Sequence, residues 1–200
     1  MLVFLKKNRI KKILRKQNEK YRSSYSHLCY SKLDSKLDYV AVLSMNLRKK
    51  CDKNDGFNKL NFEEKVVCLN YSFANEICTY GLIDYLYGKQ ANYYQELVLS
   101  LHEVGAYELE NLLKATVELL RGELPTVQSK RRNVLNKVIS DYNINLLNEI
   151  EKTMFLYLED LLYLIYDYVN INRNKFNYCW HKYNLKYIIL LTFIKNEGEG

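Results

Sequence analysis

The sequence predicts an all-α fold, a single multi-helix domain that follows a basic N-terminal helical extension. Apolar residues recur three and four positions apart in nearly every long segment, and no segment sustains the strict alternation of a half-buried strand. Only one proline and seven glycines interrupt the 200 residues. Apolar residues make up 48% and charged residues 26% of the chain, which is typical of folded globular proteins and allows one buried core.

The chain is predicted to divide at Asp52 to Asn58, because the Asp, Asn and Gly residues of this stretch favour a turn over helix continuation. Upstream, the segment from Asp34 to Arg48 carries apolar residues on one side and is predicted to be helical. We therefore expect a basic N-terminal helical extension over residues 1–60, a helical domain over residues 61–178 and a C-terminal tail over residues 179–200.

Four helices are predicted in the first part of the domain, over about residues 62–87, 92–104, 106–121 and 129–140. The third has clear ends, because Gly105 precedes it and Gly122 and Pro125 follow it. Glycine adopts the left-handed conformation of a helix end without strain, and proline cannot continue a helix.

A long final helix is predicted over about residues 141–170. Its apolar residues recur at steps of three and four, which places them on one face. They are Leu147, Ile150, Met154, Leu158, Leu161, Ile165 and Tyr168. The pattern predicts that this segment is the central helix of the core.

The net charge of +7 is unevenly distributed. Residues 1–60 contain 16 Lys or Arg against 5 Asp or Glu, whereas residues 61–178 contain 11 against 16. A run that we call the basic arm interleaves apolar residues with Lys6, Lys7, Arg9, Lys11, Lys12, Arg15 and Lys16. Such a segment suits nucleic-acid phosphates, an anionic membrane, or a helix that packs its apolar side on the body. The packed helix is the favoured interpretation, nucleic-acid binding comes next, and the membrane is the least favoured.

The five cysteines are odd in number and never form a CxxC pair, which favours reduced thiols in a cytoplasmic protein. The apolar group at the N-terminus precedes the positive charges, which is the wrong order for a secretory signal. The longest apolar stretch, Tyr187 to Ile194, is far shorter than the roughly 20 residues of a membrane span. The sequence therefore predicts a cytoplasmic location, with no signal peptide and no transmembrane helix.

No residue pattern points to catalysis, a metal or another cofactor. His27, His102 and His181 are scattered along the chain, and Cys179 lies two positions from His181, where helical side chains do not face each other. A thiolate nucleophile needs a base within hydrogen-bond reach, and the glycines form no phosphate-binding loop. We therefore expect a protein that is not an enzyme and uses no cofactor, with an uncharacterised enzyme as a remote alternative.

Four short patches follow one another in a specific order. The first, EICTYGLIDYLYG, contains Glu76, Gly81 and Tyr85. The other three contain Gly105, Ala106 and Ala115; then Pro125, Arg131, Arg132 and Leu135; and finally Glu151, Phe155, Tyr168, Asn172 and Phe176.

Together these patches resemble the family named for the DNA-mimic protein, over about residues 61–178. The chain departs from the family pattern at Thr79 and Tyr80, where the family has Asn and Gly. The resemblance implies an all-α protein that binds other proteins without catalysis. It also implies mainly structural roles for the motif residues. Gly105 would allow a tight helix junction, and an arginine would cap helix carbonyls or pair with Glu76.

The resemblance further implies a class of partner, because the founding member of the family captures DNA-binding proteins through an acidic surface that imitates DNA phosphates. The densest acidic cluster in this chain contains Glu103, Glu108, Glu110, Glu118 and Glu123. A solvated helix face is the simpler interpretation and the favoured one. The predicted partner is a protein, with a DNA-binding protein as the specific candidate. A homodimer and nucleic-acid binding through the basic arm are the alternatives.

Overall fold

The computed structural model describes residues 35–51, 56–120, 122, 124–139 and 141–176. Within these ranges the protein has eight α-helices and no strand, which confirms the all-α prediction. The helices are α1 Ser35–Cys51, α2 Phe62–Tyr80, α3 Leu82–Tyr87, α4 Tyr94–Glu103, α5 Tyr107–Leu119, α6 Gln128–Val138, α7 Asp141–Phe155 and α8 Leu158–Ile171, with 3-10 turns at Gly56–Lys59, Gln90–Tyr93 and Arg173–Lys175.

Helix α2 lies at the centre of the bundle and packs against α1, α3, α4 and α8. A capping box begins it: the Asn61 side chain accepts from the Glu64 N–H at 2.8 Å, and the Glu64 carboxylate accepts from the Asn61 N–H at 3.1 Å. The same carboxylate accepts from Nζ of Lys50 at 2.7 Å. Glu64 therefore joins the end of α1 to the start of α2.

The prediction of a single helix over residues 62–87 is wrong, because one helix ends at Gly81 and another begins at Leu82. This residue has a φ of 87°, which glycine adopts without strain. Its N–H donates to the carbonyls of Glu76 and Ile77 at 3.2 and 3.0 Å and ends α2. Apolar periodicity missed the break because Leu82 and Leu86 of α3 are buried in the same core.

The long helix predicted over residues 141–170 is also two helices, α7 and α8. The N–H groups of Leu156 and Tyr157 donate three residues back, to the carbonyls of Thr153 and Met154 at 3.1 and 3.0 Å. This is the tighter spacing of a 3-10 turn, which keeps residues three apart on one side. Six of the seven predicted face residues are buried and Ile150 is partly buried, so the core face continues across the break.

Helices α4 and α5 form a tight hairpin at Gly105, which has a φ of 81°. The Gly105 N–H donates to the His102 carbonyl at 3.0 Å, and the Ala106 N–H donates to the Leu101 carbonyl at 2.8 Å. The buried Asn70 side chain of α2 donates to the Ser100 carbonyl at 3.0 Å. The hairpin is therefore attached to the central helix through its first helix, α4.

Helix α1 falls within the predicted N-terminal extension, yet it contributes to the core of the bundle. Val40, Leu43 and Leu47 are buried, and Tyr39 packs edge-to-face on Tyr166 of α8, with 6.1 Å between ring centroids. The second half of the predicted linker contains the turn Gly56–Lys59, and its first half, residues 52–55, lies outside the described residues. The division of the chain at residue 60 stays a prediction.

Candidate interaction site

The Arg131 side chain lies inside the protein, in the first part of α6, with no exposed surface. Among the described residues it donates five hydrogen bonds. The acceptors are the carbonyl oxygens of Leu86 (2.8 Å), Gly88 (2.5 Å), Pro125 (2.7 Å) and Thr126 (2.9 Å) and the Oδ1 of Asn92 (2.9 Å). We call this arrangement the Arg131 site.

The Arg131 site joins the end of α3 to the start of α6. Carbonyls at a helix end have no partner within the helix and carry partial negative charge, so a guanidinium with five N–H donors is well suited to them. Burial lowers the pKa of Arg131, and the neighbouring Tyr85 partly offsets this effect. The side chain binds backbone carbonyls at the end of α3 and just before α6.

Tyr85 lies beside Arg131 and is almost fully buried. Its ring packs edge-to-face on Phe73, with 5.2 Å between centroids, and its hydroxyl has no hydrogen-bond partner among the described residues. Burial raises the pKa of the phenol well above its usual value, and Arg131 opposes the shift. Tyr85 is therefore a neutral core residue.

Arg132, the next residue, has a different environment. It is exposed, and its Nε donates to the Tyr87 carbonyl at 3.1 Å. That carbonyl also accepts from the Gln128 side chain at 2.9 Å, and the Tyr87 hydroxyl donates to Asn136 at 3.1 Å. These outer contacts join α3 and α6 at the surface, next to the buried contacts of Arg131.

The two acidic motif residues lie on either side of Gly81. Glu151 of α7 is buried, and its Oε2 accepts from the Leu82 N–H at 2.8 Å, at the first residue of α3. Glu76 is only partly buried, and its backbone carbonyl accepts from the Gly81 N–H. Burial raises the pKa of the Glu76 carboxyl, with Arg48 lowering it and Asp84 raising it further. Thr79 and Tyr80 are exposed at the end of α2.

The acidic candidates occupy different environments on the α4–α5 hairpin. Glu103, Glu108 and Glu118 are exposed, and Glu123 lies outside the described residues. Glu110 is buried, and it accepts from Nζ of Lys114 at 2.6 Å and lies 3.0 Å from Nδ1 of His102. The Lys114 hydrogen bond lowers the pKa of Glu110, against the effect of burial. Three of the five carboxylates therefore face solvent in the described part of the chain.

A carboxylate 40 positions before Glu103 acts on the same phenol as Glu103 does. Burial raises the pKa of Tyr168 to about 12, and the negative charges of Glu103 and Glu63 add to the shift. Glu63 of α2 and Glu103 of α4 thus act on one phenol of α8. Apolar periodicity contains no signal for this long-range electrostatic effect, and Glu63 is not among the acidic residues predicted from sequence.

Gly88 and Asn92 supply acceptors to the Arg131 site, and Gln128 donates to the neighbouring Tyr87 carbonyl; none of the three was singled out from sequence. The roles of Gly88 and Asn92 depend on the loop after α3, which has no periodic pattern. The basic arm from Lys6 to Lys16 lies outside the described residues. Across the described ranges, no cluster of His, Cys, Asp or Glu could hold a metal ion, and no helix is long and apolar enough to cross a membrane.

Comparison with known proteins identifies the family. A family model described as DMP19-like protein matches residues 58–174, more than half of the chain. This chain belongs to the DMP19-like protein family. DMP19 is a family of DNA-mimic proteins, so the match confirms the resemblance inferred from the four patches. No curated protein and no solved structure matched the chain.

The DMP19-like match contains helices α2 to α8 and both regions described above. The Arg131 site, Gly81, Glu151 and the hairpin glycine Gly105 all fall within it. Helix α1, which shares the core, and the basic arm precede the matched residues.

Proposed function

We propose that this chain is a non-catalytic protein-interaction module that binds a DNA-binding protein. Membership of the DMP19-like family over residues 58–174 is the observation that carries the proposal. The cationic side chains of DNA-binding proteins are positioned to contact DNA phosphates. A protein that imitates DNA therefore needs carboxylates held at the positions that those phosphates would occupy.

The exposed carboxylates of the α4–α5 hairpin support this proposal. Glu103, Glu108 and Glu118 face solvent on helices whose other sides are buried. The hairpin turn at Gly105 and the Asn70 hydrogen bond hold α4 on the central helix. A partner would therefore meet negative charges on a rigid support, which reduces the ordering cost of binding.

The test is capture of partners from a cell lysate by the full chain, with and without nuclease and at two salt concentrations. We expect a discrete DNA-binding protein that survives nuclease treatment and is displaced by added duplex DNA, because the two ligands would compete for one surface. Retention of the captured protein in excess duplex would contradict imitation of DNA. Capture that disappears with nuclease would contradict direct protein binding.

The second candidate function is nucleic-acid binding through the basic arm. The excess of 16 Lys or Arg over 5 Asp or Glu in residues 1–60 favours it, because neutralised phosphates release counterions. A version that lacks residues 1–22 would then lose nucleic-acid binding, and the full chain would bind less tightly as salt rises. Equal binding by both versions would exclude the arm as the cause.

The assembly and location of the protein are proposed on the same basis. Cytoplasmic location agrees with the cysteine pattern of the sequence and with a partner that binds DNA. A homodimer would double the number of exposed carboxylates in one particle. Light scattering at several concentrations tests the dimer, with one mass corresponding to a monomer as the contrary result.

A further inference from the structure

An open apolar groove lies between α4 and α5, on the hairpin that carries the acidic candidates. Its volume is about 390 Å³, which is within the range of pockets that hold small ligands. This volume can accommodate a few side chains of another segment, but it is too small for a whole helix. Its lining includes Tyr94, Val98, Leu99 and Val117, with Lys114 and Glu118 as the charged residues.

Leu99 adds an exposed apolar side chain to the edge of this groove. The side chain is 68% exposed at the edge of the groove, although Leu97 and Leu101 on the same helix are buried. An exposed apolar residue next to an apolar depression is a feature of surfaces that are covered by another segment or protein.

A sequence of contacts connects the end of the described chain to the start of α4. The Lys175 carbonyl accepts from the Asn61 side chain at 2.8 Å. Four residues before Asn61, the Phe57 ring packs on Tyr93 with 4.3 Å between centroids. Tyr93 directly precedes Tyr94, which lines the groove. The last described residue, Phe176, therefore lies on the side of the bundle where α4 begins.

We propose that the groove is the docking site for the apolar segment 187–194 of this same chain. Every residue of this segment except Thr192 is apolar or aromatic, which matches the lining of the groove. Residues 177–186 connect it to Phe176 and span up to about 33 Å when extended, roughly three helix diameters. Lys186 and Lys195 flank the segment and are opposite in charge to Glu118 of the lining, whereas Lys114 of the lining donates to the Glu110 carboxylate at 2.6 Å.

Two leucines provide a matched pair for the test, because Leu99 and Leu156 are similarly exposed, at 68% and 63%. Leu99 borders the groove, whereas Leu156 lies between α7 and α8. The full-length protein, Leu99→Asp and Leu156→Asp are compared by hydrogen exchange with mass spectrometry. The measured quantity is the exchange rate of the backbone amides of residues 187–194.

We expect these amides to be protected in the wild type and in Leu156→Asp. In Leu99→Asp they exchange at least about tenfold faster, because a charge replaces an apolar contact of the docked segment. Equal rates in all three proteins would overturn the proposal. Protection that rises with protein concentration would overturn it as well, because a second copy would then supply the segment.

The reciprocal variant Leu190→Asp with Leu191→Asp examines the groove directly. Amides of residues 94–99 and 114–119 are expected to exchange faster in this variant, and those of α8 are expected to stay unchanged. Unchanged exchange at the groove would contradict the docking. These measurements do not depend on the partner of the protein, so their outcome is separate from that of the proposed function.

Discussion

The Arg131 site and the α4–α5 hairpin both contain charged residues, but the charge of the first is buried and most charges of the second are exposed. Arg131 is buried and binds the protein's own backbone, whereas Glu103, Glu108 and Glu118 are exposed to solvent. More than half of the residues named in the family patches are buried, as Arg131 is. We propose that the named motif residues maintain the fold, and the proposed contact with a partner depends on exposed carboxylates that are not among them.

Adjacent residues show the same contrast on a smaller scale. Arg131 donates five described hydrogen bonds inside the protein, and Arg132 donates one at the surface. Successive helical positions differ by about 100° in direction, so two neighbouring arginines on α6 have separate environments. The comparison predicts that equivalent substitutions at the two positions have very different effects on stability.

The largest predicted effect is that of Arg131→Met, which should lower the free energy of unfolding by about 3–5 kcal/mol. The substitution leaves several buried acceptors without donors, and each such acceptor costs about 1–3 kcal/mol before the site relaxes. Arg132→Met is the matched control and should stay within about 0.5 kcal/mol of the wild type. Urea unfolding measures both. Similar losses for the two variants would remove the distinction between the residues.

Glu151→Gln is predicted to cost about 1–1.5 kcal/mol, because the acceptor of the Leu82 N–H becomes a neutral amide oxygen and loses its negative charge. The exposed Glu149→Gln on the same helix serves as the control and should change stability by less than about 0.5 kcal/mol. Thermal unfolding of the two variants makes the comparison. A Glu151→Gln protein as stable as Glu149→Gln would mean that the charge at the start of α3 has no structural role.

Gly105→Ala should cost about 1–2 kcal/mol, because a φ of 81° is unfavourable for a residue with a Cβ. No atom beyond the two chain neighbours lies within 4 Å of the added Cβ, so backbone strain is the expected cause. Gly105→Asn should cost less, since asparagine tolerates the left-handed region. Denaturant unfolding would give this order, and equal stability of all three proteins would show that the hairpin turn relaxes without strain.

The buried carboxylate of the hairpin predicts a pH-dependent effect. The pKa of Glu110 is lowered in the folded protein, so its interaction with Lys114 stabilises the protein above the unfolded pKa of about 4.3 and is lost as pH falls through the folded value. A double-mutant cycle of Glu110→Gln and Lys114→Met should give a coupling below about 1 kcal/mol at pH 7, because Lys114 is half exposed. The coupling should vanish at low pH. A coupling unchanged at low pH would contradict the carboxylate's role.

Helical periodicity predicted the fold class and most of the core, because burial on one face of a helix imposes steps of three and four. It did not predict the breaks at Gly81 and at Leu156 to Tyr157. At both places the apolar face continues into the next helix, so the pattern shows no interruption. Only the left-handed backbone of Gly81 and the 3-10 bonds of Leu156 and Tyr157 distinguish two helices from one.

The candidate sites could be predicted from sequence less completely than the fold. The third patch contains both Arg131 and Arg132, and its residue pattern does not distinguish them. Which of the two is buried depends on how α6 packs. The effect of the Glu63 and Glu103 charges on the pKa of Tyr168 involves three helices that are distant in sequence. Local spacing contains no information about such effects.

The central claim is that exposed hairpin carboxylates contact the partner while the motif residues maintain the fold. The most direct measurement compares partner capture by Glu103→Gln, Glu108→Gln, Glu118→Gln combined in one protein with capture by Glu159→Gln, Asp160→Asn, Asp167→Asn, an equal loss of exposed charge on α8. Both proteins should unfold within about 0.5 kcal/mol of the wild type. We predict that only the hairpin variant loses the captured DNA-binding protein. Undiminished capture by a folded hairpin variant would contradict the claim.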